Sequence, residues 1–238
     1  MANIEPGLTL RHGDLEFSAY DIGEGPLVIC LHGFPDTAQS WRHQLQPLAD
    51  AGFRVVAPNM RGYEPSSIPA DGDYFSIRMA DDVAAWVDQL DAGPAHIVGH
   101  DWGASIAFMA AQYAPEKYRS LTMMSVPHPI KFQQAMTGNF KQMRNSWYIF
   151  FFQLERLSNW AVARKDFAFL ERLWRKWSPG WDFPMEELQA MKTALGKPGV
   201  LEATLGYYRA ISNRSHPSMA PTAELMMKPC VVPTLGLA

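Results

Sequence analysis

The sequence contains 238 residues, of which 47% are hydrophobic and 19% are charged, and its 21 basic and 24 acidic residues give a formal net charge of −3. This length and composition exclude intrinsic disorder and leave open either one large α/β domain or a core with a substantial insertion. Since no run of Lys or Arg could follow a phosphate backbone, we expect no nucleic-acid binding.

The first 128 residues alternate strand and helix patterns. Leu8 to Arg11 and Leu15 to Asp21 predict two antiparallel strands, and a Gly/Pro turn then leads into a buried strand at Leu27 to Leu31. Further strands are predicted at residues 53–57, 95–98 and 120–126, and helices at residues 37–50, 76–90 and 103–113. This alternation predicts a mostly parallel sheet, whose ligand sites lie beyond the carboxyl ends of its strands.

Residues 129–212 differ in composition, since they hold 16 of the 29 Phe, Trp and Tyr residues and show helical patterns without a convincing strand. We expect an all-helical cap whose large side chains build a small core of their own, with a few of them lining a pocket. Val231 to Leu237 then predict a last strand. The predicted organisation is a core at 1–128, a helical cap at 129–212 and a return to the core at 213–238.

Two observations bear on the cellular setting. No apolar stretch approaches the ~18 residues of a membrane span, and the N-terminus lacks a basic region followed by an apolar one. We therefore expect no membrane association and a cytoplasmic location. Cys30 and Cys230 lie in separate apolar segments and are expected to be reduced residues that do not pair.

The segment Gly99-His100-Asp101-Trp102-Gly103 lies where a predicted strand meets a predicted helix. It fits the G-x-Nu-x-G pattern of a nucleophile elbow, with Asp101 in place of the more usual Ser. Glycines suit this turn because it strains the middle residue and brings neighbouring chain close. The positive end of the helix should keep Asp101 ionised, as an attacking carboxylate requires. An Asp before a helix can also be an N-cap, but the whole pattern predicts the nucleophile.

A second turn, His32-Gly33-Phe34-Pro35, directly follows the predicted buried strand. By itself this could be an ordinary turn. Enzymes with a nucleophile elbow, however, take one oxyanion-hole N–H from a turn at this place and the other from the residue after the nucleophile. Phe34 and Trp102 are therefore predicted to donate their backbone N–H groups.

The two turns and two further stretches resemble the epoxide hydrolases of the α/β-hydrolase superfamily, and the similarity covers essentially the whole chain. The resemblance implies an α/β-hydrolase fold, with a mostly parallel sheet and an inserted all-helical cap. The stretches are HGFPDTAQSW at 32–41, VVAPNMRGY at 55–63, VGHDWGAS at 98–105 and SVPHP at 125–129.

Two cap segments are similar to the stretches that carry the ring-opening tyrosines of that family, namely WYIFFFQ at 147–153 and YYR at 207–209. Tyr148 and Tyr208 match the two positions, although the neighbouring Tyr207 is a rival for the second. A phenol with a pKa near 10 can donate a hydrogen bond to an epoxide oxygen and share its proton as an alkoxide develops.

The same resemblance assigns His32, Gly33, Pro35 and Phe151 to substrate binding and implies a cis Phe34-Pro35 peptide bond. The substrate class is a small apolar epoxide, in keeping with the aromatic cap. No cofactor is implied. No metal site is expected either, because the sequence has no H-x-x-x-H, C-x-x-C or clustered carboxylate spacing.

A haloalkane dehalogenase is the alternative enzyme, because that group resembles this chain in having Trp after the elbow Asp. Trp102 alone cannot separate the two activities. In that group the first turn often reads HGNP, whereas this chain has Phe34, and the two cap tyrosines also favour an epoxide. The departures from the epoxide hydrolase pattern, Asn59 and Glu64-Pro65, fall in a loop.

A larger departure concerns the base that hydrolyses the aspartyl ester. In this family a His after the last strand, oriented by an acid, activates water, and Leu237-Ala238 end the sequence before either position. We therefore expect the fold with its last strand and helix missing, without a complete triad. Three possibilities stay open: a fragment of a longer hydrolase, a binding protein without turnover, and part of an assembly completed by self-association or by another chain.

Overall fold

A seven-stranded sheet forms the centre of residues 6–237, which are the residues that the computed structural model describes. Its strands are β1 (Leu8–His12), β2 (Leu15–Ile22), β3 (Leu27–Leu31), β4 (Arg54–Pro58), β5 (Ala95–His100), β6 (Tyr118–Met124) and β7 (Thr234–Leu237). They lie in the order β1-β2-β4-β3-β5-β6-β7. The β1–β2 and β2–β4 pairs are antiparallel and the other pairs are parallel, which confirms the predicted mostly parallel sheet with an antiparallel entry.

Helices cover both faces of this sheet. They are α1 (Arg42–Asp50), α2 (Ser76–Leu90) and α3 (Trp102–Tyr113). Ile29 of β3 packs in a core with α2 and α3, whereas its neighbour Cys30 packs in a second core with Leu45 of α1. All five residues of β3 are buried, because successive side chains enter opposite cores. Burial on both faces of the sheet therefore explains why every residue of this strand is apolar.

The start of one predicted helix in this half changes. Helix α2 occupies the predicted residues, but the helix predicted from Thr37 begins with a 3-10 turn at Ala38–Trp41, and α1 starts only at Arg42. The Thr37 hydroxyl caps that turn by accepting from the Gln39 N–H. Side-chain capping thus fixes where the 3-10 turn begins, and one periodic pattern had merged this turn with α1.

Six helices follow β6 and form what we call the helical segment. They are α4 (Pro129–Gly138), α5 (Phe140–Asn145), α6 (Trp147–Phe152), α7 (Glu155–Trp177), α8 (Met185–Leu195) and α9 (Val200–Ala210). Helix α7 is interrupted at residues 164–167, where three residues have positive φ. No strand occurs in the described residues between β6 and the end of α9, in agreement with the predicted helical character.

The return to the sheet contains a helix that the sequence did not predict. This helix, α10 (Met219–Met226), contacts α2 and α3 and buries Leu225. The predicted strand from Val231 begins only at Thr234, because Pro233 cannot donate to a sheet ladder. Cys30 and Cys230 are both free, as predicted.

A membrane span requires a helix that is both long and apolar. Across residues 6–237, no helix combines the length and the apolar character that this requires.

Candidate active site

Asp101 lies at the tip of the turn between β5 and α3, at φ +53° and ψ −123°. This is a costly conformation for a residue with a side chain. The flanking glycines make it possible: a Cβ on Gly99 would lie 2.2 Å from the Gly103 oxygen, and one on Gly103 would lie 2.1 Å from the Leu31 oxygen. The backbone geometry is therefore that of the predicted elbow.

The Asp101 carboxylate accepts a hydrogen bond from the Phe34 N–H, which donates to Oδ1 at 2.8 Å. Burial raises the pKa of Asp101, while the backbone N–H groups of Phe34 and Trp102 and the nearby His100 oppose that rise. The Phe34-Pro35 peptide bond is cis. Both N–H groups expected from the sequence thus converge on one carboxylate.

Gly33 lets the first turn approach Asp101 closely, since a Cβ on Gly33 would lie 2.4 Å from the Asp101 Cβ. The His32 ring connects the same turn to the backbone at Met60. Its Nε2 accepts from the Met60 N–H at 3.1 Å and its Nδ1 lies 3.0 Å from the Gly33 oxygen, as a neutral ring with Nδ1–H requires. Burial lowers the pKa of His32 to about 4. Both ring nitrogens are occupied by backbone groups, so the ring braces the turn, and its assignment to substrate binding stays a prediction.

The rings of Tyr148 and Tyr208 pack edge to face, with their centroids 5.9 Å apart and their planes at 82°. Burial raises the pKa of each hydroxyl, and the negative charge of Asp101 raises it further. The Tyr208 ring also packs edge-on against Phe34, at 5.3 Å, and Phe152, at 5.0 Å. The helical segment therefore brings two protonated phenols within electrostatic reach of the elbow carboxylate.

Tyr207, the rival to Tyr208, has a different environment. Its hydroxyl donates to the Arg61 oxygen at 2.7 Å, and its ring stacks on Tyr74 at 5.6 Å. With 1% of its surface exposed, the side chain is enclosed by the core. Tyr208 is therefore the member of the pair whose ring packs against Phe34.

Phe151 stacks on Phe169, with ring centroids 5.7 Å apart. The next residue, Phe152, is fully buried and meets the Phe34 ring at 5.8 Å. Phe152 is thus a site residue that the sequence analysis missed. In an unbroken aromatic run, nothing in the sequence indicates which ring points inward.

A cavity of about 560 Å³ lies between the loop at 68–75 and α9. None of the five predicted catalytic residues lines it. Among residues 6–237, no group of three His, Cys, Asp or Glu side chains is placed to hold a metal ion.

Comparison with known proteins identifies the family. Residues 26–181 match the family model described as alpha/beta hydrolase fold. The chain is 34% identical over 193 residues to the AB hydrolase superfamily protein YfhM of Bacillus subtilis, with 81% of this chain and 68% of that protein covered. It is 31% identical over 210 residues to epoxide hydrolase 4 of Mus musculus, with 85% of this chain and 58% of that protein covered. The chain thus spans about half to two thirds of such relatives.

A solved structure gives the same result. The crystal structure of epoxide hydrolase VrEH1 from Vigna radiata superposes with a TM-score of 0.77 at 27% identity, over 96% of this chain and 78% of that one. Together with the sheet order and the elbow, these matches show that the chain belongs to the alpha/beta hydrolase family.

Proposed function

We propose that this hydrolase opens a small apolar epoxide to a vicinal diol through an ester on Asp101. An Asp101 oxygen attacks one epoxide carbon, the ring carbon–oxygen bond breaks, and the leaving oxygen takes a proton from Tyr148 or Tyr208. Water then hydrolyses the ester, which frees the diol and Asp101 and returns the proton to the phenol. The observation that carries the proposal is one buried carboxylate that accepts a hydrogen bond from the Phe34 N–H and whose charge raises the pKa of two nearby phenols.

The two backbone donors orient the nucleophile. The Phe34 N–H holds Oδ1 of the Asp101 carboxylate, and the Trp102 N–H also favours its charged form. When water later attacks the ester carbonyl, the same N–H groups stabilise the negative oxygen that develops there. Gly33 and Pro35 contribute by fixing the turn that carries the Phe34 donor.

The tyrosines supply the acid. An unperturbed phenol has a pKa near 10, and burial beside Asp101 raises the pKa of both hydroxyls, so that both remain protonated donors at neutral pH. Two donors can share the charge of one leaving alkoxide.

The helical segment acts as the cap in this proposal. Its Phe152 and Tyr208 rings pack on Phe34 and thereby form an apolar wall beside Asp101. We assign residues 1–128 to the core and 129–212 to the cap. Since α10 packs on α2 and α3, residues 213–238 belong with the core.

The hydrolytic step needs a base that activates water. In the described residues, His12 lies 2.8 Å from Asp82 and 3.6 Å from Asp81, but its strand β1 is separated from β5 by β2, β4 and β3. His100 precedes Asp101 and influences its pKa, yet its side chain is exposed. We therefore propose that residues 6–237 form the ester faster than they release it.

Halide chemistry is disfavoured by the surroundings of Trp102. A dehalogenase would use its indole N–H to bind the leaving halide. Here the indole ring packs edge-on against the rings of Tyr207 and Tyr208, with centroid distances of 5.5 and 5.2 Å, so that both tyrosines occupy the space beside it. An epoxide therefore suits the site better than a haloalkane.

Rapid mixing of the chain with excess styrene oxide tests the proposed function. We expect a fast phase of epoxide consumption, stoichiometric with protein, followed by slow turnover. Asp101→Asn should abolish the fast phase, while Asp14→Asn, in an exposed turn, should leave it unchanged. No consumption, or consumption unaffected by Asp101→Asn, would contradict the proposal.

A further inference from the structure

We propose that Tyr207 is a positioning residue, whose hydroxyl bond to the Arg61 carbonyl fixes Tyr208 over Asp101. Tyr207 and Tyr208 are adjacent on α9 but project into different surroundings. The Tyr207 hydroxyl donates to the Arg61 carbonyl and its ring stacks on Tyr74, whereas the Tyr208 ring packs on Phe34. The inference rests on the proposed function, because it concerns the placement of the acid in ring opening.

The acceptor of this hydrogen bond is held firmly. Arg61 donates to both oxygens of Asp82, each at 2.7 Å, and also to the Asp73 carbonyl at 2.7 Å. Arg61 and Asp82 side chains are 5% and 2% exposed. A buried, bidentate ion pair with a third bond leaves the Arg61 backbone little freedom. The Tyr207 hydroxyl is therefore tied to a rigid part of the core.

The contact between α9 and this part of the core is closely packed. A Cβ on Gly62 would lie 2.8 Å from the Ala203 Cβ, and a Cβ on Gly206 would lie 2.5 Å from the Tyr74 ring. Glycine thus occurs on both sides, and a side chain at either position would force its neighbour to shift. A small shift of α9 would break this close packing, so the packing resists movement of the helix.

The constraint extends to the second acid. Gln153, at the end of α6, donates from Nε2 to the Tyr208 carbonyl at 2.8 Å, and Arg209 donates from Nε to the Phe152 carbonyl at 3.1 Å. Because α6 carries Tyr148 and α9 carries Tyr208, a movement of α9 would displace both phenols. The Tyr207 hydroxyl can therefore determine how far both phenols lie from Asp101.

Proton transfer depends strongly on the distance between each phenol and the oxygen that it protonates. A general acid must come within about 2.6–3.2 Å of its acceptor, and a misplacement of about 1 Å can cost 100-fold in rate. Loss of the Tyr207 hydroxyl should loosen α9 without removing a group that touches substrate. The limiting rate should then fall while the apparent affinity for substrate changes little.

The test compares Tyr207→Phe with Tyr118→Phe in the fast phase of styrene oxide consumption. Tyr118 is a matched control, because its buried hydroxyl has no hydrogen-bond partner among residues 6–237. We expect Tyr207→Phe to lower the limiting rate about 10-fold and to change the half-saturating concentration less than about twofold. Tyr118→Phe should change neither. Gly206→Ala, which keeps the hydroxyl but forces a methyl group against Tyr74, should also lower the limiting rate.

The other outcomes separate the two claims. If Tyr208→Phe slows the fast phase while Tyr207→Phe and Gly206→Ala do not, the positioning role is wrong and the proposed function stands. A rise in the half-saturating concentration at an unchanged limiting rate would also overturn the positioning role. If the parent chain shows no fast phase, the proposed function fails and the inference fails with it.

Discussion

The Phe34 N–H donates to Asp101 Oδ1 at 2.8 Å, although the two residues are 67 positions apart in the sequence. The parallel pairing of β3 with β5 creates this contact, because both strands end at the same edge of the sheet. The turn after β3 and the elbow after β5 therefore lie side by side. Each motif is local in the sequence, and the pairing of the two strands brings them together into one site.

The close approach of these turns predicts a strong effect of Gly33→Ala. The added methyl group would lie 2.4 Å from the Asp101 Cβ and 2.7 Å from Oδ1, so that the turn or the carboxylate must move. We expect the fast phase with styrene oxide to slow about 100-fold, the scale of a 1 Å misplacement. Gly138→Ala, where a Cβ meets nothing within 4 Å, is the matched control and should react at the parent rate.

The pH dependence of the fast phase follows from the two pKa directions. Attack requires ionised Asp101, whose pKa is raised from 3.8, so the rate should fall with decreasing pH at a midpoint above 3.8. Donation requires protonated Tyr148 and Tyr208, whose pKa values are raised from 10.0, so the rate should persist beyond pH 10. Stopped-flow rates across the range where the chain stays folded check both limbs. A loss of rate near pH 8 to 9 would show that another group controls the reaction.

The buried pair of Arg61 and Asp82 predicts a large stability effect. Asp82→Asn leaves the Arg61 guanidinium buried without its counter-charge, and we expect unfolding free energy to fall by about 3–5 kcal/mol. The comparison is Glu16→Gln, which breaks an ion pair with Arg11 whose side chains are 60% and 65% exposed. That change should cost less than about 1 kcal/mol in urea unfolding. Equal effects of the two variants would refute the role given to burial.

Strand β7 predicts self-association of the 238-residue chain. It pairs with β6 on one side, no described strand lies on its other side, and Leu235 and Leu237 are 55% and 48% exposed. An open apolar edge invites pairing with another strand. Gel filtration should show oligomers whose fraction falls in Leu235→Lys. A monomer at all tested concentrations would contradict this expectation.

The sequence was most informative where a motif is local. The elbow glycines and the HGFP turn predicted Asp101, Phe34 and Trp102, because sharp turns and close approaches demand particular residues at fixed spacing. Tyr148 and Tyr208 came only from the family resemblance. Aromatic runs carry no signal of which ring faces the site.

Three features could not be predicted from the sequence for physical reasons. Tyr207 and Tyr208 differ by about 100° around α9, and their contacts in the fold, with Arg61 for Tyr207 and with Phe34 for Tyr208, separate their roles. Phe152, not Phe151, meets the Phe34 ring because successive residues of a helix point in different directions. Helix α10 contains Pro221 and lacks a regular apolar pattern, so packing on α2 and α3 defines it.

The most direct test of the account is the site of covalent attachment. The chain is mixed with styrene oxide, quenched in acid within the fast phase and digested for mass spectrometry. We expect one added substrate mass on the peptide that contains residues 99–103, with fragment ions placing it on Asp101, and none in Asp101→Asn. Attachment at another residue, or epoxide consumption with no adduct at any time point, would contradict the aspartyl-ester mechanism.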